Sequence, residues 1–106
     1  MSRSSTTTRR LAPIPPGEIL LEEFMRPAAI SQNLLARSLD VPVSRVSGVV
    51  KGERAITADT ALRLATFFGT SAEMWMRLQS EYDLRCAERE HGIEIKRAVR
   101  PMKNVA

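Results

Sequence analysis

The chain has 106 residues, of which 43% are hydrophobic and 26% charged, and its formal net charge at pH 7 is +4. These values are typical of one soluble globular domain with a modest core. A single cysteine excludes an internal disulfide, one histidine excludes the usual structural zinc sites, and no apolar run approaches the roughly 18 residues of a transmembrane helix.

The residues that carry catalysis are also missing from the sequence. There is no nucleophile triad, no metal-binding cluster and no glycine-rich phosphate loop. The first ten residues are polar and lack the apolar segment of a secretory signal. We therefore expect a cytoplasmic protein that is not an enzyme, binds no cofactor or metal and does not insert into a membrane.

The N-terminal residues predict a disordered arm followed by a helix. Residues 2–10 are rich in serine, threonine and arginine and have almost nothing to bury, so we place a flexible arm over residues 1–12. Pro13 and Pro15 then favour an extended backbone. Pro16 suits the first turn of a helix that runs to about Met25.

Two short helices joined by a tight turn are predicted next. Ser31 is a strong N-cap for a helix that ends at Leu39. Asp40 follows where the chain must turn, and aspartate is one of the few residues that tolerate a positive φ. Pro42 begins the second helix, which ends just before Gly52.

Two further helices complete the predicted domain. Thr57 caps the fourth helix and Gly69 ends it. Thr70-Ser71-Ala72-Glu73 has the form of a capping box for a fifth helix. We expect that helix to fray near Gly92, before a short basic C-terminal extension over residues 93–106.

The predicted fold is therefore all-α, with five helices over residues 13–92 and a helix-turn-helix motif over residues 31–52. The motif requires a small residue in its first helix, because the second helix crosses close over it, and Ala36 satisfies this. The outer face of the second helix is short, polar and basic, which suits a DNA major groove about 12 Å wide. The pattern indicates a DNA-binding domain.

The motif sequences also carry a resemblance to a known family. Residues 31–52, SQNLLARSLDVPVSRVSGVVKG, resemble the phage-repressor type of helix-turn-helix found in the Xre family. Four further segments resemble the HigA family of antitoxins: PPGEILLEEF (15–24), ITADTALRLA (56–65), GTSAEMWMRLQ (69–79) and YDL (82–84). Together they extend over most of residues 13–100.

The resemblance implies a function and its partners. A HigA-like antitoxin would form a homodimer, bind a palindromic operator in its own promoter as a transcription repressor, and neutralise a HigB-like toxin of the RelE type, which cleaves mRNA. Two alternatives stay open: a solitary Xre-type regulator without a toxin, and an interaction protein that only masks a toxin and binds DNA weakly.

We assign DNA contacts by position on the motif. Gln32 and Arg37 are expected near phosphates. Gln32 is at the N-terminus of the first helix of the motif, where backbone amides favour an anion. Lys51 and Arg54 are expected on the flanking DNA backbone. The residues expected to face the groove are Val43, Ser44, Arg45, Ser47 and Gly48.

Three of these groove positions have specific expectations. Arg45 is the candidate for a bidentate guanine contact. Gly48 would let the helix backbone approach the bases closely. Val43 stands where many such repressors have a polar base-reading residue, so it either contacts a thymine methyl or packs. Any of the basic and small residues could instead be plain solvated surface.

The fifth helix has more apolar side chains than one helix needs to dock on its own domain. Trp75, Leu78 and Tyr82 recur along one face of it. They are expected either in the core or at a dimer interface, and the dimer interface is assigned to this helix and the residues after it.

Overall fold

Five helices follow one another along residues 12–103, the part of the chain that the computed structural model describes. Helix α1 has two parts, an α-helical part, Pro16–Ile19, and a π-helical part that follows it directly, Leu20–Met25. The others are α2 (Gln32–Leu39), α3 (Val43–Val50), α4 (Ala58–Phe68) and α5 (Ala72–Ala98). This confirms the predicted all-α fold. The arm predicted over residues 1–12 lies, apart from Ala12, outside the described residues.

Most helix boundaries follow from local capping, as predicted. Ser31 and Thr57 are the N-caps of α2 and α4, and each side-chain oxygen accepts a hydrogen bond from a backbone N–H three residues on. Gly69 ends α4 in the left-handed conformation, with φ 74°. Gly52 follows α3 with φ 79°, which fits its predicted place just beyond that helix.

The second half of α1 departs from a regular α-helix. The N–H of Arg26 donates to the carbonyl of Leu21, and the N–H of Ile30 donates to Met25, five residues back in each case. A turn closed in this way brings residues five apart onto nearly the same side. Leu20 and Met25 are both buried in the core, so the wider turn places both of them there.

The core lies between α1, the α2–α3 pair and the adjoining parts of α4 and α5. Trp75 at its centre is 0% exposed, and its ring contacts Phe24 and Phe68. The fully or nearly fully buried apolar residues are Leu20, Met25, Leu35, Ala36, Leu39, Val46, Val49, Ile56, Ala61, Leu64 and Trp75.

Two predictions about α5 were wrong. The capping box does not form: the N-cap is Ser71, which accepts from the N–H of Met74, and Thr70 instead accepts from the indole Nε1 of Trp75 at 2.8 Å. The helix also continues past Gly92 to Ala98. One helical glycine costs only about 1 kcal/mol relative to alanine, which is not enough to end a helix of otherwise good helix formers.

The second half of α5 extends away from the domain. From Ala87 to Lys103 every residue except Gly92 is exposed. Where this part of the helix begins, surface ion pairs of Arg85 with Glu81 and Glu88 support it locally. None of the helices in residues 12–103 is long and apolar enough to cross a membrane.

Candidate nucleic-acid interface

The turn between α2 and α3 is closed by its own backbone. Asp40 has φ 59° and ψ 50°, the predicted left-handed conformation. The N–H of Val41 donates to the carbonyl of Ala36 at 3.0 Å, so the last turn of α2 is satisfied. Ala36 itself is buried, which fits the predicted need for a small residue there. The angle between α2 and α3 is therefore fixed locally.

Helix α3 buries one side and exposes the other. Val46 and Val49 lie in the core, whereas Val43 is 44% exposed at the start of the helix. Among the predicted DNA contacts, the exposed ones are Arg37, Val43, Ser44, Lys51 and Arg54, and the half-buried ones are Gln32, Arg45 and Ser47. Val43 is therefore available to a ligand rather than packed in the core.

Gly48 is buried, unlike the other predicted groove positions. A β-carbon at this position would lie 2.9 Å from Cγ and Cδ of Arg54. The Gly48 carbonyl also accepts the backbone N–H groups of Glu53 and Arg54, at 2.8 and 3.0 Å. The stem of Arg54 thus covers this glycine. The predicted close approach of bases to the Gly48 backbone is replaced by a close approach of Arg54.

Arg45 is not an isolated side chain on the outer face of α3. Its Nη1 donates to Oδ2 of Asp59 at 2.5 Å, and the side chain is only 32% exposed. The same carboxylate oxygen accepts from Nε of Arg63 at 2.9 Å. Hydrogen bonds from Arg63 first, and from Arg45 second, hold the pKa of Asp59 below its ordinary value.

Arg63 connects this ion-pair network to the turn of the motif. Its Nη1 donates to the carbonyl of Leu39 at 2.8 Å and reaches that of Asp40 at 3.3 Å. Sequence reasoning missed both Asp59 and Arg63. Their spacing of four on one helix is a readable signal for an ion pair with each other, but the contact with Arg45 depends on how α3 and α4 pack.

The residues assigned to a dimer interface lie in different environments. Trp75 is wholly buried within one chain, so its assignment to a dimer interface was wrong and the core alternative holds. Leu78 packs against the core, and Tyr82 is half-buried. The large apolar side chains that remain exposed on α5 and beyond are Met76, Leu84, Ile93, Ile95, Val99 and Met102.

The described residues contain no group of three or more histidine, cysteine, aspartate or glutamate side chains that could hold a metal ion. The candidate interface is therefore defined by shape and charge. It consists of the exposed face of α3, the flanking cations Arg37, Lys51 and Arg54, and the network that contains Arg45.

Comparisons with known proteins agree with this geometry. Residues 21–75 match the helix-turn-helix family. A HigA-family addiction module antidote protein from Coxiella burnetii is 48% identical, with a TM-score of 0.82 over 87% of this chain and 100% of that one. The antitoxin HigA of Pseudomonas aeruginosa, solved with the higBA promoter, is 46% identical, with a TM-score of 0.83 over 85% and 98% of the two chains.

A curated relative gives the same result from sequence. Virulence-associated protein I of Dichelobacter nodosus is 48% identical over 77 residues, which are 73% of this chain and 71% of the relative. The sequence identity and the coverage are high enough in each case to establish that this chain and the relative are homologous. The chain therefore belongs to the helix-turn-helix family and, within it, to the group that contains the HigA antitoxins.

Proposed function

We propose that this protein is the antitoxin of a toxin–antitoxin module and the repressor of its own operon. As a homodimer it binds a palindromic operator in its own promoter, and it neutralises a HigB-like toxin, an mRNA-cleaving nuclease of the RelE type, in the cytoplasm. The observation that carries the proposal is the exposed face of α3, held by a closed helix-turn-helix and flanked by cations.

The assignment of DNA contacts follows from this face. Val43 and Ser44 lie at the exposed N-terminal end of α3, the end that enters the major groove in this motif. Arg45 supplies the guanidinium for base recognition. Arg37, Lys51 and Arg54 neutralise phosphates, with Gln32 and Ser47 beside them. The solved relative with its promoter supports this choice of ligand.

A dimer is required because one recognition helix reads only a few base pairs. Two copies placed about 34 Å apart would meet successive major grooves on one face of the DNA. The exposed apolar residues here are Leu84, Ile93 and Ile95 on α5 and Val99 just after it, and a second copy can cover this surface. We therefore assign the dimer contact to the exposed part of α5, without Trp75.

The DNA part of the proposal is tested by binding to the region upstream of the gene itself. The wild-type protein should prefer that duplex to a scrambled one of the same length. Arg45→Ala should abolish the preference while the helical circular dichroism survives. Arg77→Ala, which removes an exposed arginine from α5, is the matched control and should keep the preference. An Arg45→Ala variant with unchanged preference would contradict the assignment of α3.

The toxin part is tested by co-expression with the small open reading frame beside the gene. Growth arrest by the neighbour alone, relieved by this protein and accompanied by co-purification of the two, supports the antitoxin function. A harmless neighbour that does not co-purify, together with intact operator binding, would instead identify a solitary regulator. Toxin capture with weak, sequence-independent DNA binding would identify a protein that only masks a toxin.

A further inference from the structure

We propose that Asp59, which lies outside the recognition helix, positions Arg45 for base recognition and thereby sets part of the operator specificity. This inference rests on the proposed function, because it concerns how the same DNA-binding face reads its ligand. The recognition surface then includes a residue of α4, a helix that lies outside the helix-turn-helix motif.

The ion pair leaves the recognition edge of Arg45 available. A guanidinium has five N–H donors, and among the described contacts Arg45 uses only Nη1, toward Asp59. Nε and Nη2 remain, and these two donors form a fork of the shape that pairs with O6 and N7 of guanine. An arginine held at one nitrogen can thus still make a bidentate base contact.

Asp59 is itself held from two sides. It lies in the first turn of α4, where the helix dipole favours a carboxylate. Arg63 binds its Oδ2 at 2.9 Å and anchors at the same time on the carbonyl of Leu39 at 2.8 Å. The Arg45 guanidinium is therefore held, through Asp59 and Arg63, by the turn that fixes α2 against α3. Its position does not depend on its own flexible stem alone.

The ion pairs of Asp59 with Arg45 and Arg63 are partly exposed to solvent, which favours a role in orienting Arg45 over a role in stabilising the fold. The Asp59 side chain is 56% exposed and that of Arg63 is 37% exposed. Ion pairs with this much solvent contact contribute little to folding. A pre-oriented arginine, by contrast, loses less conformational freedom when it meets its base, and that gain appears only with the matching sequence.

The test compares operator preference, defined as the ratio of Kd for scrambled duplex to Kd for operator at one salt concentration. Asp59→Ala should lower this ratio by about fivefold or more, the range of one lost bidentate contact. The slope of log K against log salt should stay unchanged, because no phosphate contact is removed. The double variant Arg45→Ala/Asp59→Ala should have the same Kd ratio as Arg45→Ala alone, since both substitutions remove the same oriented Arg45 side chain.

Two controls separate this inference from its alternatives. Glu22→Ala removes another exposed carboxylate from an i,i+4 ion pair, with Arg26, and should leave the ratio unchanged. Urea denaturation verifies that Asp59→Ala is folded. An unchanged ratio in Asp59→Ala overturns the inference while operator binding stands. A wild-type protein without operator preference overturns the proposed function itself.

Discussion

Gly17 in α1 lies directly against the backbone of Val49 in α3. A β-carbon at position 17 would overlap the carbonyl oxygen of Val49 and lie 2.7 Å from its carbonyl carbon. Both residues are buried, and the obstacle is backbone rather than a side chain that could turn aside. The absence of a side chain at Gly17 thus sets how closely α1 approaches the end of the recognition helix.

Gly17→Ala should therefore destabilise the protein, by roughly 3 kcal/mol, because α1 must move away from α3 and open the core between them. Urea denaturation measures the free energy of unfolding. Gly92→Ala is the matched control: Gly92 is helical, a β-carbon there meets nothing within 4 Å, and the substitution should stabilise by up to about 1 kcal/mol. Equal stability of the two variants would contradict the close approach.

Gly48→Ala should act on DNA binding through Arg54. The new methyl group meets the flexible stem of Arg54, which can move, so the fold should survive and gain helix propensity. Displacing Arg54 should cost one phosphate contact and reduce the salt slope by about 1, as Arg54→Ala should. If Gly48→Ala instead removes sequence preference at an unchanged slope, the glycine is needed for approach to the bases.

Gln79→Ala should destabilise the core even though glutamine is polar. Gln79 is 8% exposed, and its Oε1 accepts the buried backbone N–H of Ile56 at 2.7 Å. Truncation leaves that N–H without its partner and should cost about 1–3 kcal/mol. Ser80→Ala, one residue further on the exposed side, should change the free energy of unfolding by less than about 0.5 kcal/mol. Similar losses for both variants would contradict this account.

The contribution of Asp59 to stability should depend on pH in a defined direction. Its pKa in the folded protein lies below the ordinary value of 3.8, so the folded state favours the ionised carboxylate. The contribution is fully present above that value and is lost as the pH falls through the lower, folded pKa. The difference in thermal midpoint between wild type and Asp59→Asn should be constant at neutral pH and shrink below pH 3.8. A difference that grows on acidification would contradict the ion pair.

Features written into short segments of the sequence were predictable. Ser31 and Thr57 cap their helices through atoms only three residues away, and Asp40 closes its turn within the same short stretch. The face of α3 that enters the core follows from the spacing of Val46 and Val49. These features rest on backbone geometry that a few neighbouring residues determine.

Features that depend on packing between distant segments were not predictable. The contact of Arg45 with Asp59 bridges 14 positions, and the cover of Gly48 by Arg54 depends on how the chain leaves α3. No residue pattern in the sequence predicts the π-helical turn in α1. Helix α5 continues past Gly92 because the low helix propensity of one glycine is outweighed by the good helix formers around it. The spacing of apolar residues does not predict this balance.

The burial of Trp75 gives the protein an internal optical reporter. It is the single tryptophan of the chain, its ring neighbours are Phe24 in α1 and Phe68 in α4, and its indole nitrogen is bonded to Thr70. Its emission should be blue-shifted and protected from soluble quenchers while the core is intact. The fluorescence of the unlabelled protein will therefore report unfolding of the core. It should change little when a ligand binds only to the surface of α3.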